Sequence, residues 1–217
     1  MPSDSRSNET SRSAFSRAVV RLRAGERVES LVDELLGELT TEEKLGLLDG
    51  DIPFWEGLID MNVTGYNRSP IPMGCVERLG IPGLLFSDGP RGVVMGRSTA
   101  FPVSMARGAT WDRDLEERVG TAIGLEGRAQ GANFFGGVCI NLPRHPAWGR
   151  VQETYGEDPL LLGEMGAALV RGVRPNMMAV AKHYISGLGK LEDRLLIILD
   201  IEQLFESEEL DIITPKP

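Results

Sequence analysis

The amino-acid sequence predicts an α/β fold, and three features carry the prediction. Short apolar runs of strand length, Ile81 to Ser87, Gly137 to Leu142 and Met177 to Ala181, are separated by stretches of helical periodicity. Each run passes at its carboxyl end into polar residues: Asp88 in Asp-Gly-Pro, the loop Asn141 to Asp158, and Lys182-His183. The helix after the long loop opens on Asp158-Pro159, a capping acid and then a residue whose missing N–H costs nothing at a first helical position. Strand, helix, strand, helix, strand is the α/β order, and it places the polar strand ends where they converge.

Taken in order, residues 1 to 27 are rich in Ser and Arg. Arg17 and Arg21 interrupt AFSRAVVRL, so no secretory core forms, and Asp4, Glu9 and Glu26 count against a transit peptide; a flexible leader is expected. From Val28, the residues Leu31, Val32, Leu35, Leu36 and Leu39 keep the spacing of an amphipathic helix. Thr40 and Glu43 then form a capping box that starts a short second helix, expected to run to Leu48. Asp49 to Leu79 is dense in Gly, Pro and Asn, holds Trp55 and Tyr66, and reads as a long irregular loop of the kind that is often functional. Leu115, Val119, Ala122 and Ile123 mark a helix capped by Thr110 or Asp112, and the helix from Pro159 to Arg171 is expected to stop at Gly172. After Ile185 the character changes to LLIILDI, then the acidic FESEELD; periodicity leaves strand and helix both open for the apolar run. The expected organisation is thus a leader (1–27), a main segment (28–184) and a divergent tail (185–217).

Composition bounds the function. With 217 residues, 41% apolar and 25% charged, the chain has ordinary globular usage. A net charge of -9 argues against nucleic acid or an anionic membrane as partner, because no basic patch is segregated beyond the first segment. No apolar stretch approaches the ~20 residues needed to span a bilayer. Cys75 and Cys139 lie far apart, and Cys139 sits in an apolar run, which predicts a buried thiol rather than a disulfide or a zinc site. That usage fits a reducing compartment, and a cytoplasmic location is the expectation. The sequence holds no metal cluster, phosphate loop or nucleophile elbow, so neither metal nor cofactor is expected.

Chemistry is concentrated in NLPRHPAWGRVQETYGED, Asn141 to Asp158, and in Lys182-His183. Each residue also has a structural reading: Asp88 as the cap of its own turn, Arg150 and Glu153 as an ion pair in which Glu153 orients Arg150, Lys182 as a strand-end lysine, and His183 as a satisfied core histidine. His145, before Pro146, reads as a loop residue, while Trp148 is open to stacking on a ligand or to packing the loop.

Leu39 to Leu48 (LTTEEKLGLL), LLFSDGPRGV, FPVSMARGATWD, GLEGRAQGANFF, the WGRVQETYGEDP stretch and MAVAKHY occur in an order that resembles glycoside hydrolase family 3, the β-glucosidases and relatives. The resemblance runs over Leu31 to Tyr184 and implies the N-terminal portion of a (β/α)8 TIM-type barrel with leading helices. It also implies retaining hydrolysis of terminal β-linked sugars, with no cofactor and a β-linked glucoside or oligosaccharide as partner. Carried over residue by residue, it makes Asp88, Arg150, Lys182 and His183 ligands of the sugar hydroxyls, with Glu153 and Trp148 supporting. Relatives also share a cis linkage at the Lys-His pair. The chemistry agrees, since a carboxylate accepts from adjacent hydroxyls while Arg and Lys donate to others. Retaining hydrolysis needs two carboxyl groups ~5 to 5.5 Å apart, and in the family both come from later barrel loops. After Tyr184 the expected continuation is replaced by ISGLGKLEDRLLIILD, and Asp200 is not aligned with the nucleophile. The chain is therefore expected to bind without hydrolysing by itself and to self-associate through an unfinished barrel; the alternatives are a non-catalytic carbohydrate-binding remnant and one half of a split enzyme.

Overall fold

A computed structural model describes residues 13–48, 50–63, 65, 68–183, 185–191 and 194–199. Outside them lie residues 1–12 of the expected leader, Tyr66, Tyr184 of the KHY motif, and Asp200 with the acidic tail after it. The chain divides into two compact units, Met1–Phe86 and Ser87–Pro217.

In the first unit the expected leader contains a helix, α1 (Ala14–Arg23), which corrects the expectation of a flexible segment there. The Ser13 hydroxyl caps it by accepting from the Ser16 N–H at 3.2 Å. Arg17 and Arg21 are good helix formers, and Arg21 bonds the Glu26 and Glu34 carboxylates, the latter on α2 (Val28–Glu38). Next comes α3 (Thr41–Gly46), opened by the expected capping box: the Glu43 N–H donates to the Thr40 hydroxyl and the Thr40 N–H to the Glu43 carboxylate.

The stretch expected to be one long loop instead holds α4 (Phe54–Val63) and β1 (Ile71–Val76). β1 pairs antiparallel with β2 (Ile81–Ser87), Ile71 opposite Phe86 and Val76 opposite Ile81. A 3-10 turn over Glu77–Leu79 joins them, ending on Gly80 in the left-handed region that glycine occupies without penalty. Asp51 also holds β1, accepting from the N–H groups of Gly74 (2.8 Å) and Cys75 (3.0 Å). These bonds join residues far apart in sequence, which is why local Gly and Pro content concealed the strand. Leu39, Val76 and Leu79 form the buried apolar cluster of this unit, with Ala14 and Ile81 against it.

The second unit contains α5 (Ser104–Gly108), α6 (Arg113–Ala129), β3 (Phe134–Cys139), α7 (Pro159–Val173) and β4 (Met178–Lys182). β3 and β4 are parallel with α7 as the crossover, the α/β arrangement expected. Of the two candidate caps, Asp112 is the one used: its carboxylate accepts from the Leu115 N–H at 2.8 Å, as Asp158 does from Leu161. β3 starts three residues earlier than its apolar run suggested and has an irregular register between Phe135 and Val138. The two glycines there, Gly136 and Gly137, masked the strand in the sequence.

Gly172 does not end α7, which continues to Val173. A side chain at Gly172 would collide with the backbone of α6 at Glu117, Gly120 and Thr121, so the residue serves helix contact rather than termination. Ile123, Phe135, Val138, Leu162, Met165, Leu169 and Val173 fill the core between α6, α7 and the parallel strands. The apolar run of the tail, open between helix and strand, lies in an antiparallel pair, β5 (Ile185–Leu191) and β6 (Arg194–Leu199).

Candidate functional site

All four residues singled out as ligands belong to the second unit. Asp88 follows Ser87, the last residue of β2, in a tight turn; Gly89 takes a φ of 135° that other residues avoid, and its N–H donates to Asp88 Oδ1 at 2.8 Å. The same turn lies over β3, because a side chain at Gly137 would meet the Gly89 carbonyl oxygen. Lys182 closes β4 and reaches back, its Nζ donating to Asp88 Oδ1 at 2.5 Å. The cap and the ion pair are thus one arrangement on a single oxygen. Among the described residues, Oδ2 of Asp88 keeps no protein partner, and the side chain is 29% exposed.

Arg150 and Glu153 form the expected pair. The 3-10 turn Val151–Glu153 folds the chain so that Arg150 Nε donates to Glu153 Oε1 (2.7 Å) and Nη2 to Oε2 (2.6 Å). This two-point contact fixes the guanidinium plane and leaves Nη1 pointing elsewhere. Burial pushes the Glu153 carboxyl up, but the hydrogen bonds and charge of Arg150 outweigh it, so its pKa lies below the ordinary value. Arg150 is raised in turn, chiefly by its hydrogen bonds to Glu153.

His183 follows Lys182 across a cis peptide bond, and its Nδ1 lies 3.4 Å from Asn141 Oδ1. Burial lowers its pKa, and the charges of Arg150 and Lys182 lower it further against the opposing effect of Glu153 and Asp88. Its charged surroundings are thus the two ion pairs, Lys182 with Asp88 and Arg150 with Glu153. Two cations and two anions leave that cluster without net charge.

Among the other candidates, His145 is a loop residue whose Nδ1 accepts from the Ala147 N–H at 3.1 Å. Trp148 is half-buried in the same turn, its N–H bonded to the His145 carbonyl. Cys139 is buried with its Sγ 3.6 Å from Glu153 Oε2, and burial foremost pushes the thiol up to about 12, which removes thiolate chemistry from the site.

Residues 72–193 match the model of the glycosyl hydrolase family 3 N terminal domain. The chain belongs to that family. It is 32% identical over 170 residues to a β-glucosidase of Rhizobium radiobacter, covering 75% of this chain and 19% of that protein. It is 33% identical over 167 residues to thermostable β-glucosidase B of Acetivibrio thermocellus, 70% of this chain and 20% of the relative. Among solved structures, β-glucosidase 3B of Thermotoga neapolitana, in complex with glucose, superposes with a TM-score of 0.61 at 34% identity over 71% of this chain and 23% of that one. The chain therefore spans about a fifth of the length of the curated relatives it matches.

Beside the residues singled out from the sequence, the structure holds two features that the sequence reading missed. Asn141 was passed over, although it too stands at the carboxyl end of an apolar run, and that position was the available signal. The second is a buried polar group, Arg107, Glu116 and Tyr155, all less than 4% exposed. Arg107 Nε donates to Glu116 Oε2 at 2.8 Å, and the Tyr155 hydroxyl donates to Glu116 Oε1 at 2.6 Å. Glu116 stands three and seven residues before Val119 and Ile123, on the helix face those residues bury, and that spacing was the available signal.

Proposed function

We propose that this chain carries the sugar-binding part of a β-glucosidase-type site, and that its ligand is the terminal glucose of a β-linked glucoside. The observation that carries the reading is the Asp88 to Lys182 ion pair, which joins two distant strand ends while leaving Asp88 Oδ2 without a partner among the described residues. Around it stand donors not consumed by the described residues: Arg150 Nη1, the remaining ammonium hydrogens of Lys182, and the ring edge of His183. A pyranose presents adjacent hydroxyls that each donate and accept, and this set answers both needs. A neutral ligand also suits a cluster whose charges cancel, because no counter-charge is demanded of it. The names of the relatives, and the glucose in the Thermotoga neapolitana structure, support the same ligand class.

Hydrolysis asks for more than this cluster holds. Both of its carboxylates are engaged by cations, Asp88 by Lys182 and Glu153 by Arg150. Neither is placed to act as nucleophile or as proton donor, roles that require one ionised and one protonated carboxyl group. Binding is thus the contribution of this cluster, in a reducing compartment where Cys139 stays a thiol. Titration with D-glucose followed by saturation-transfer NMR should show saturable binding that Arg150→Ala weakens roughly tenfold to a hundredfold, the range for losing hydrogen bonds to a charged group. Nitrophenyl β-glucoside should release no nitrophenol. A folded chain that ignores glucose would overturn the reading. So would turnover that disappears in Arg150→Ala, because a carboxylate of the cluster would then be doing the chemistry.

A further inference from the structure

The loop carrying Asp88 and the loop carrying Arg150 and Glu153 are far apart in sequence, yet both end on the same buried ion pair, Arg107 and Glu116. Arg107 Nη2 donates to the carbonyl of Pro90 at 3.1 Å, two residues after Asp88, and Nη1 donates to the carbonyl of Pro102. Its Nε donates to both oxygens of Glu116, at 3.2 and 2.8 Å. Glu116, at 0% exposure on α6, also takes the hydroxyl of Tyr155, two residues after Glu153. The Arg107 guanidinium lies 5.8 Å from the Tyr155 ring centroid, so the three side chains are in mutual contact.

We propose that Arg107, Glu116 and Tyr155 are positioning residues of the sugar site, one buried carboxylate tying the Asp88 loop to the Arg150-Glu153 loop. The proposal rests on the sugar-binding reading for its ligand but not for its geometry. A bare structural ion pair would not need this set of partners. A buried pair of opposite charges gives little net stability over apolar residues of the same volume. Here both remaining nitrogens of Arg107 donate to carbonyls of the Asp88 loop or the segment that follows it, and Nη2 also to Ser104. The cluster therefore constrains where loops lie rather than adding apolar contact. It acts from behind: none of the three touches Asp88, Arg150, Lys182 or His183 by a hydrogen bond.

The test uses the full chain and two readouts. Tyr155→Phe keeps the ring and its packing and removes one link; Arg107→Lys keeps the charge and loses the planar fork. Unfolding in urea shows whether each variant is folded. His183 is the reporter of site geometry, since its titration reflects burial and the placement of Arg150, Lys182, Glu153 and Asp88 around it. The chain has only one other histidine, His145, so His145→Gln assigns the NMR signals. The expected result for folded Tyr155→Phe is a His183 pKa displaced upward from that of the parent and a glucose affinity weaker by roughly threefold to tenfold, the scale of one net hydrogen bond. Lower urea stability with an unchanged His183 titration and unchanged affinity would overturn the proposal, because the three residues would then be structural alone. Should the parent not bind glucose, the sugar reading fails, while the His183 titration still decides between positioning and mere stability. If Arg107→Lys does not fold, Tyr155→Phe carries the comparison.

Discussion

At the scale of single residues, the cluster around Asp88 and Glu153 behaves as one electrostatic object. Glu153 has a pKa below the carboxylate norm of 4.5, and His183 has one below the imidazole norm of 6.5. Both groups bind protons less readily in the folded chain than in the unfolded one, so both contributions to stability are present above the unfolded pKa and are lost as pH falls through the folded value. The order follows from the norms: His183 begins to destabilise the fold on acidification below 6.5, and Glu153 adds to this below 4.5. Urea unfolding across this range should show two successive losses of stability. In Arg150→Ala, His183 loses a neighbouring cation and its pKa rises, so the first loss becomes smaller. A first loss of unchanged size in that variant would place Arg150 away from His183 in solution.

At the scale of elements, helix contact in the second unit depends on glycine. Gly172 on α7 faces the backbone of α6, and a methyl group there would have to displace main chain rather than a yielding side chain. Gly172→Ala should therefore destabilise by about 1 to 3 kcal/mol or more, the cost of overpacking a filled contact. Gly163 on the same helix is exposed and has nothing near its missing side chain. Gly163→Ala should stabilise by roughly 0.5 to 1 kcal/mol through helix propensity alone. Opposite signs in paired urea titrations are the expected outcome, and equal effects would show that α7 does not pack on α6 through Gly172.

At the scale of the whole molecule, exposed apolar side chains and an open strand edge govern behaviour in solution. Leu48 and Val63 are 84% and 81% exposed, and Trp111 and Leu160 exceed 70%. Among the described residues, β4 stands at the end of its sheet, with hydrogen-bonding groups on one side not taken up by a further strand. Against association stands a net charge of -9, whose repulsion is screened by salt. Sedimentation of the purified chain should show an average mass that rises with protein concentration and rises further with added salt. A constant monomer mass at every concentration and salt would show that charge and local covering suffice.

What was legible in the sequence shares one property, dependence on neighbours in the chain. The Thr40-Glu43 box, the Asp112 and Asp158 caps and the amphipathic spacing of α2 and α6 involve contacts a few residues long, and local residue types decide them. Asp88, Arg150, Lys182 and His183 were singled out because they follow strands or lie in the long loop between them, and because their motifs match a known family pattern; the structure joins Asp88 to Lys182 and Arg150 to Glu153. Tertiary structure decided the rest. β1 exists because β2 pairs with it, and Gly172 lies inside a helix because α6 passes close to it. Glu116 is buried only because Arg107 and Tyr155 arrive from elsewhere in the chain to satisfy it. Unpaired in an apolar setting that carboxylate would be costly, and no pattern around it in the sequence foretells its partners.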